Sequence, residues 1–150
     1  MKIYVASSWR NSMVGDVVAL LRREGHDVYD FRHPKGVGSY GFLWSDVDPN
    51  WEQWDTKDFT RALLHPIAQR GFDSDFTAMK EADACVLVLP CGRSAHTEAG
   101  YMAGCGKPVY VFSPDKQEPE LMYKIYSLVT DQISDIINKL TIAEQSFRNE

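Results

Sequence analysis

The sequence predicts an α/β fold in which helices flank a parallel β-sheet. An apolar run without polar alternation at Cys85–Leu89 is followed by a helical stretch and a second buried strand at Val109–Phe112. Such runs suit a sheet that is covered on both faces. Two earlier strands, Ile3–Ala6 and His26–Asp30, enclose another helix, and strands that alternate with helices are typical of parallel sheets. A chain of 150 residues fits a single domain.

The first helix is predicted over Met13–Glu24, and Gly25 ends it. Its apolar residues form one face and are Val14, Val17, Val18 and Leu21. Three further helices are predicted: about Lys57–Ala68 with a break near Pro66, from a cap at Asp73 or Ser74 to Ala82, and Asp131–Leu140. Residues 121–129 are apolar but too short to assign. The domain is expected to span residues 1–141, followed by a frayed tail over residues 142–150.

Residues 31–56 interrupt the alternation of strands and helices. Prolines and glycines are interleaved there with the aromatic residues Tyr40, Phe42, Trp44, Trp51 and Trp54. A loop of this length is usually functional or disordered, and the aromatic content speaks against disorder. We interpret this segment as a lid over a binding site. The alternative is that its rings cover an open face of the core.

The central strand, turn and helix place the candidate site. Pro90 ends the strand, Cys91–Arg93 forms a tight turn, and Ser94 is expected to cap a helix that runs to about Met102 before Gly104. In parallel α/β sheets, ligands bind beyond the carboxyl ends of the strands. The turn and the first turn of this helix are therefore the expected binding region.

The composition excludes several classes of protein. A net charge of −5 and a pI near 5.3 argue against a nucleic-acid polymer as the main partner. No apolar run approaches membrane-spanning length and no signal-type segment opens the chain, so a cytoplasmic protein without membrane contact is expected. The cysteines Cys85, Cys91 and Cys105 lack C-x-x-C spacing, which predicts reduced thiols and no structural zinc.

Three carboxylates stand out by position. Glu98 lies near the start of the central helix, Asp75 at the start of the preceding one, and Asp83 just before the central strand. Two carboxylates that face one pocket support covalent catalysis at an acetal-like carbon, one as nucleophile and one as proton donor. Alternatively, acidic residues in first turns simply complement the helix dipole. Asp83 lies at the wrong end of its strand and is expected to be structural.

Hydroxyl and cationic side chains follow two of the predicted strands. They are Ser7, Ser8, Arg10, Arg93 and Ser94. This composition suits a phosphate or carboxylate ligand, although surface loops carry such residues in any case. Neither a G-x-G-x-x-G nor a Walker motif is present. His96, in the same helical turn as Glu98, is placed to contact a ligand or to cap a neighbour.

Three segments of the chain resemble the nucleoside 2-deoxyribosyltransferase family, which includes 2′-deoxynucleoside 5′-monophosphate N-glycosidases. They are K-I-Y-V-A-S-S-W-R from Lys2, D-F-T-A-M-K-E-A-D from Asp75, and T-E-A-G-Y-M-A-G-C-G-K-P-V from Thr97. The similarity runs from Lys2 to about Tyr123, apart from residues 31–56. The resemblance implies a flavodoxin-like, Rossmann-like sheet in a single domain and a reaction that needs neither metal nor other cofactor.

The resemblance also implies roles for individual residues. Glu98 takes the place of the nucleophile, Tyr4 that of the tyrosine bonded to it, and Asp75 that of the residue that assists protonation of the leaving base. The residues expected to bind substrate are Ser7, Ser8, Trp9, Arg10, Gly92, Arg93, Ser94, His96, Glu120 and Met122. The implied reaction cleaves or transfers the N-glycosidic bond of a nucleoside or its 5′-monophosphate.

Two departures from the family pattern bear on the substrate. In the family, a neighbouring subunit supplies an Asn or Ser two residues before a Met, which implies a homodimer or higher homo-oligomer; here Glu120 stands at that position before Met122. A carboxylate there would repel a 5′-phosphate, whereas Arg10, Arg93 and Ser94 favour one. The turn C-G-R-S-A-H before the glutamate also differs from the acidic or Ser-Gly-rich turn of many members.

Other functional classes stay open at this point. The Glu120 departure and the aromatic loop are also compatible with a non-catalytic module that binds a nucleotide or an NAD-derived signal in the same pocket. A phosphoribohydrolase of the lysine-decarboxylase-like group is disfavoured because the P-G-G-x-G-T run is absent before Glu98. A redox flavodoxin is disfavoured because the first loop lacks the Ser/Thr-rich run that binds the FMN phosphate.

Overall fold

The computed structural model describes residues 1–36 and 38–149. Its strands are β1 (Lys2–Ala6), β2 (Asp27–Asp30), β3 (Ala84–Val88), β4 (Val109–Phe112) and β5 (Leu128–Thr130). They form a five-stranded parallel sheet in the order β2-β1-β3-β4-β5, which is the flavodoxin-like order. The predicted fold class is therefore confirmed.

The described residues include five α-helices. They are α1 (Val14–Arg23), α2 (Thr56–Ala62), α3 (Pro66–Glu81), α4 (Arg93–Gly104) and α5 (Ile133–Arg148). Short 3-10 helices cover Trp44–Asp46, Trp51–Gln53 and Leu121–Ile125. Helix α4 packs against β1, β3 and β4, while α5 packs against β4 and β5.

The core is centred on β3, whose residues are all buried. This strand lies between β1 and β4, with Cys85 opposite Tyr4 on one side and Val109 on the other. Because neighbouring strands flank it on both sides, its near-continuous apolar sequence is the one expected for the centre of a parallel sheet. The prediction from the apolar run at Cys85–Leu89 is thus confirmed to within one residue at each end.

Contacts within the chain define two compact units. The first comprises Met1–Tyr29 and the residues from Glu81 onward, and it contains α1, α4 and α5. The second, Asp30–Lys80, contains α2 and nearly all of α3. The expectation that residues 1–141 form one domain stays a prediction.

Aromatic rings cluster in the second unit, within and next to the segment interpreted as a lid. The ring of Trp44 lies 4.7 Å from Phe42, 5.4 Å from Trp54 and 5.9 Å from Phe59, measured between centroids. The indole Nε1 of Trp54 also donates a hydrogen bond of 2.8 Å to Oδ2 of Asp48. These contacts order part of the segment, while its role as a lid stays a prediction and Val37 lies outside the described residues.

The predicted start of a helix at Asp73 or Ser74 is wrong, because α3 begins at Pro66 and runs without interruption to Glu81. Proline is well suited to the first position of a helix. Gly71 lies inside α3 next to Phe42. A larger residue would not fit there, because a Cβ at position 71 would lie only 2.7 Å from Cβ of Phe42. Asp75 consequently lies in the interior of this helix and not at its start.

The predicted cap at Ser94 is also wrong. Helix α4 begins at Arg93, and its N-cap is Gly92 in an extended conformation, without a capping side-chain hydrogen bond. Ser94 therefore lies within the first turn. The helix runs past the predicted end at Met102 to Gly104, and Gly106 follows with a φ of +80°, which is typical of glycine after a helix.

The C-terminal elements differ from the prediction in two ways. The stretch 121–129 holds the 3-10 helix Leu121–Ile125 and the first two residues of β5, a strand that was not predicted because it is short and incompletely buried. Helix α5 continues past the predicted end at Leu140 to Arg148, so residues 142–148 of the expected frayed tail are helical. No Gly or Pro interrupts them, and an ion pair of 3.3 Å joins Arg148 to Glu144 one turn earlier. Glu150 lies outside the described residues.

Candidate active site

Tyr4 and Glu98 meet on one side of the sheet. Tyr4 is fully buried in the middle of β1, and its hydroxyl donates a hydrogen bond to Oε2 of Glu98. Glu98 is half-buried in the second turn of α4. Because α4 packs against β1, two residues far apart in the sequence come into contact. The structure therefore places a carboxylate and a phenol in the relation that the family resemblance implies.

The ring of Tyr4 is held in place by a second aromatic ring. The ring of Tyr4 stacks on Tyr29, with centroids 5.4 Å apart and planes 13° from parallel.

Burial, together with the negative charge of Glu98, raises the pKa of the Cys85 thiol. The same two causes raise the pKa of Cys91 to about 11. Both thiols are therefore protonated at neutral pH, which leaves Glu98 as the nucleophile candidate of this group.

The loop after β1 is fixed to the carboxyl end of β3. The Ser7 hydroxyl donates a hydrogen bond of 2.8 Å to the carbonyl oxygen of Val88. Asn11, which is buried, donates from Nδ2 to the carbonyl oxygens of Val88 at 3.4 Å and Pro90 at 3.2 Å. Asn11 was not predicted as a site residue, although asparagine is common in the turns that precede helices. Its Oδ1 accepts a hydrogen bond of 3.0 Å from the backbone N–H of Met13, the N-cap residue of α1.

The other predicted residues of this loop lie nearer the surface. Ser8 is half-buried, and its Oγ accepts a hydrogen bond of 3.2 Å from the backbone N–H of Arg10. Trp9 and Arg10 are exposed beyond the carboxyl end of β1. They are thus placed at the sheet edge where ligands bind in this class of fold.

A cavity of about 600 Å³ lies beside the first turns of α4. Its lining residues are Cys91, Gly92, Arg93, His96, Thr97, Glu120, Met122, Tyr123, Ile125 and Tyr126. The structure thus brings together five of the predicted substrate-binding residues, from two separate parts of the sequence: Gly92, Arg93, His96, Glu120 and Met122. Ser94 is exposed and lies outside this lining.

His96 and Tyr123 are joined across the cavity. The Nε2 atom of His96 lies 2.6 Å from the Tyr123 hydroxyl, and the two rings stack with centroids 5.8 Å apart. On its other side, Nδ1 of His96 lies 2.8 Å from the carbonyl oxygen of Gly92 and 3.5 Å from Sγ of Cys91. Burial and neighbouring acidic groups raise the pKa of Tyr123 to about 12, so its hydroxyl is protonated. Tyr123 was not predicted as a site residue, although L-M-Y-K-I-Y carries two tyrosines three residues apart.

The two remaining carboxylates lie in different settings. Asp75 is half-buried in the interior of α3 in the second unit. Asp83 accepts a hydrogen bond of 2.7 Å at Oδ2 from the backbone N–H of Lys2, at the amino end of β1. This position agrees with the structural role expected for Asp83.

A metal-binding cluster and a membrane-spanning helix are both absent from the described part of the chain. Within residues 1–36 and 38–149, no cluster of three or more His, Cys, Asp or Glu side chains could hold a metal ion. No helix in the same part of the chain is long and apolar enough to cross a membrane. The cysteines Cys85, Cys91 and Cys105 are all free thiols.

Comparison with known proteins places the fold. No model of a known protein family matches the chain, and no curated protein matches it. A solved structure of a 2-deoxyribosyltransferase from the psychrotolerant bacterium Bacillus psychrosaccharolyticus is similar, with a TM-score of 0.60 and 23% identity over 92% of this chain and 91% of that chain. The CMP N-glycosidase of Clostridium botulinum gives a TM-score of 0.50 and 14% identity over 94% of this chain and 99% of that chain. The resemblance to the nucleoside 2-deoxyribosyltransferase family is thus confirmed at the level of the fold, which this chain shares with both enzymes.

Proposed function

We propose that this protein is an enzyme that cleaves or transfers the N-glycosidic bond of a nucleoside or its 5′-monophosphate. The observation that carries this proposal is the hydrogen bond from Tyr4 to Glu98, which holds a carboxylate between β1 and α4. The names of the two structural neighbours, a 2-deoxyribosyltransferase and a CMP N-glycosidase, support glycosidic chemistry in this fold. Both neighbours are enzymes, so they lend no support to the alternative of a non-catalytic binding module.

In the proposed mechanism, Glu98 is the nucleophile. Its carboxylate oxygen attacks C1′ of the sugar, an ester bond forms, and the bond between C1′ and the base nitrogen breaks. The electron pair of that bond leaves with the base, whose protonation we assign to Asp75. A second base then takes the sugar in a transferase, or a water molecule takes it in a hydrolase, and the carboxylate is regenerated.

Tyr4 has the role of orienting the nucleophile. Its ring is fixed by burial in β1 and by the stack on Tyr29, so its hydroxyl restricts the carboxylate of Glu98 to few conformations. A nucleophile that is held before the substrate arrives loses less conformational freedom in the transition state. A hydrogen bond to the carboxylate also favours the ionised form, which is the form that attacks.

The cavity beside α4 bears on the choice between nucleoside and monophosphate. Arg93 and Glu120 both line it, so a phosphate placed there would meet one cation and one anion. A neutral 5′-hydroxyl could accept a hydrogen bond from Arg93 or donate one to Glu120. The preferred substrate in the experiment below therefore decides which of the two charges dominates recognition. We also propose a homo-oligomer in which Glu120 and Met122, which are exposed and line the cavity of their own chain, also reach the site of a neighbouring subunit.

The test is an assay of base release and exchange. The purified protein is incubated with a panel of deoxynucleosides, ribonucleosides and their 5′-monophosphates, with and without a second free base, and the products are separated by chromatography. Glu98→Gln keeps the size of the side chain but removes its nucleophilicity, so we expect the rate to fall at least about 10³-fold. The melting temperature of this variant should stay close to that of the wild type.

A matched control separates the nucleophile from a general effect of lost charge. Glu81→Gln makes the same change at an exposed residue at the end of α3, whose carboxylate pairs with Lys2 at 3.6 Å. This variant should retain wild-type turnover. Equal turnover in Glu98→Gln and wild type would contradict the mechanism. A nucleotide bound tightly and recovered intact from the wild type would instead indicate a binding module.

A further inference from the structure

The segment Leu121–Ile125 carries several apolar side chains that point into solvent. Leu121 is 78% exposed, Met122 67% and Ile125 53%. Burial of apolar surface is the main source of packing energy, so these side chains contribute little to holding the segment in place. Tyr123, by contrast, is half-buried and turns back towards α4. The contact of Tyr123 with His96 is therefore the principal candidate for the anchor of this segment.

The hydrogen atoms of this contact are assigned by chemistry. The carbonyl oxygen of Gly92 can only accept a hydrogen bond, so Nδ1 of His96, 2.8 Å away, must carry a hydrogen. In the neutral imidazole, Nε2 then has a lone pair that faces the Tyr123 hydroxyl at 2.6 Å. The phenol donates and the imidazole accepts. His96 is thus held at both ring nitrogens: Nδ1 donates to the carbonyl oxygen of Gly92, the N-cap of α4, and Nε2 accepts from Tyr123.

The position of His96 connects this anchor to the cavity beside α4, the helix that also carries Glu98. His96 lies two residues before Glu98 on α4, and it lines the same cavity as Glu120 and Met122, which belong to or adjoin the anchored segment. A displacement of Tyr123 would move these two side chains away from the cavity. It would leave the hydrogen bond between Tyr4 and Glu98 in place.

We propose that the His96–Tyr123 hydrogen bond positions residues 120–125 for substrate binding and ties them to the helix that carries the nucleophile. Both residues act as positioning residues. This inference rests on the proposed function, since it takes the cavity beside α4 as the place where the substrate of the Glu98 reaction binds. The pair is expected to affect the affinity for the substrate and not the rate of the chemical step.

The first test measures how firmly the segment is held, and it needs no activity. Lys124 is exposed within the segment, so trypsin can cleave after it when the segment detaches, and exposed Lys116 in the preceding loop serves as an internal reference. Tyr123→Phe removes the hydroxyl but keeps the ring. We expect cleavage after Lys124 to become about two- to tenfold faster relative to cleavage after Lys116, the effect of one lost neutral hydrogen bond.

Variants of His96 separate its two hydrogen bonds. In His96→Asn, the shorter amide can still donate to Gly92 but no longer reaches Tyr123, so we expect the same acceleration as in Tyr123→Phe. In His96→Gln, the longer side chain can accept from Tyr123, and protection should be restored. The control Tyr126→Phe removes another phenol from the same cavity and should leave cleavage after Lys124 unchanged.

The second test is kinetic. With the best substrate of the wild type, Tyr123→Phe and His96→Asn should each raise KM by about two- to tenfold, with kcat within about twofold of the wild type. The double variant should be no worse than either single variant, because both remove the same interaction. His96→Gln should retain a KM near that of the wild type.

The outcomes distinguish this inference from the proposed function. An active wild type with unchanged KM in Tyr123→Phe would overturn the positioning role, even if trypsin cleavage became faster. Effects of the two single variants that multiply in the double variant would also overturn it. A wild type without turnover on any substrate would contradict the proposed function itself, and the substrate role of the pair with it.

Discussion

At the scale of single residues, the placement of polar groups in the core identifies the candidate chemistry. Tyr4 is completely buried in a strand whose other buried residues are apolar. Its hydroxyl donates a hydrogen bond to Glu98. A buried hydroxyl needs a hydrogen-bond partner, and a charged carboxylate is a strong one. The pair therefore combines a rigid ring, which packs against Tyr29, with a polar end that meets the nucleophile candidate.

The role of Tyr4 can be tested by removing its hydroxyl alone. Tyr4→Phe keeps the stack on Tyr29 but takes away the hydrogen bond to Glu98. Hydrogen bonds to charged groups contribute about 1.5–3 kcal/mol, so we expect kcat/KM to fall by about 10- to 150-fold. Steady-state kinetics measure this loss. Tyr110→Phe, at a buried tyrosine of β4, is the matched control; a similar loss in both variants would contradict a specific role for Tyr4.

At the scale of secondary-structure elements, the sequence pattern predicted the strands better than the helix ends. Val109–Phe112 was predicted with the bounds that β4 has, because Pro108 and Ser113 limit this short apolar run. Helix α3 was predicted in two pieces, since Pro66 and Gly71 both disfavour helix interiors. In the structure, Pro66 opens the helix and Gly71 provides room for Phe42. Phe42 lies outside α3, so the sequence of the helix does not reveal that it packs against Gly71.

The close approach at Gly71 leads to a stability prediction. Alanine is favoured over glycine in helix interiors by about 1 kcal/mol, but a Cβ at position 71 would lie 2.7 Å from Cβ of Phe42. Overpacking of this kind costs about 1–3 kcal/mol and outweighs that gain, so we expect Gly71→Ala to lower the free energy of unfolding by up to about 2 kcal/mol. Urea denaturation of the wild type and the variant measures this difference in the free energy of unfolding.

The matched control for Gly71 lies in α4. A Cβ at Gly100 would meet nothing within 4 Å, so Gly100→Ala should raise the free energy of unfolding by about 0.5–1 kcal/mol. Equal stabilisation by both substitutions would show that Phe42 moves aside without cost, contrary to the explanation given for the uninterrupted helix.

At the scale of the whole molecule, the parallel sheet assembles the site. The carboxyl ends of β1 and β3 lie side by side, so the loop with Ser7 and Asn11 meets the turn before α4. The connection from β4 to β5 brings Tyr123 back to His96. Each of these contacts joins residues that are distant in the sequence and follows from the strand order β2-β1-β3-β4-β5.

Stability in acid is a property of the whole fold to which one ion pair contributes. Asp30 is buried at the end of β2 and accepts hydrogen bonds from Nε of Arg32 at 3.0 Å and Nη2 at 2.8 Å. Burial alone would raise the pKa of Asp30, but the hydrogen bonds and charge of Arg32 outweigh it and lower the pKa below its usual value. The folded state therefore favours the ionised form, and this contribution is complete above about pH 4 and is lost as pH falls through the lowered pKa.

Substitution of Asp30 should remove this contribution. Asp30→Asn leaves Arg32 without its anionic partner, and we expect a loss of about 2 kcal/mol in the free energy of unfolding at pH 7. Because the titrating group is gone, the variant should lose less stability than the wild type between pH 4 and pH 3. Denaturation at several pH values measures both effects. Asp27→Asn, at an exposed position of the same strand, is the control, and the same pH profile in both variants would contradict the assignment.

The sequence by itself determined the α/β class, the central strand–helix–strand unit and the motifs that single out Tyr4 and Glu98. These features are local: apolar runs reflect burial of a strand, and a motif is read directly from neighbouring residues. Only the tertiary structure decided that Asn11 fixes the first loop, that Tyr123 contacts His96, and that α3 continues through Gly71. Each of these depends on a partner distant in the chain, whose position is set by sheet order and packing and leaves no periodic signal in the sequence.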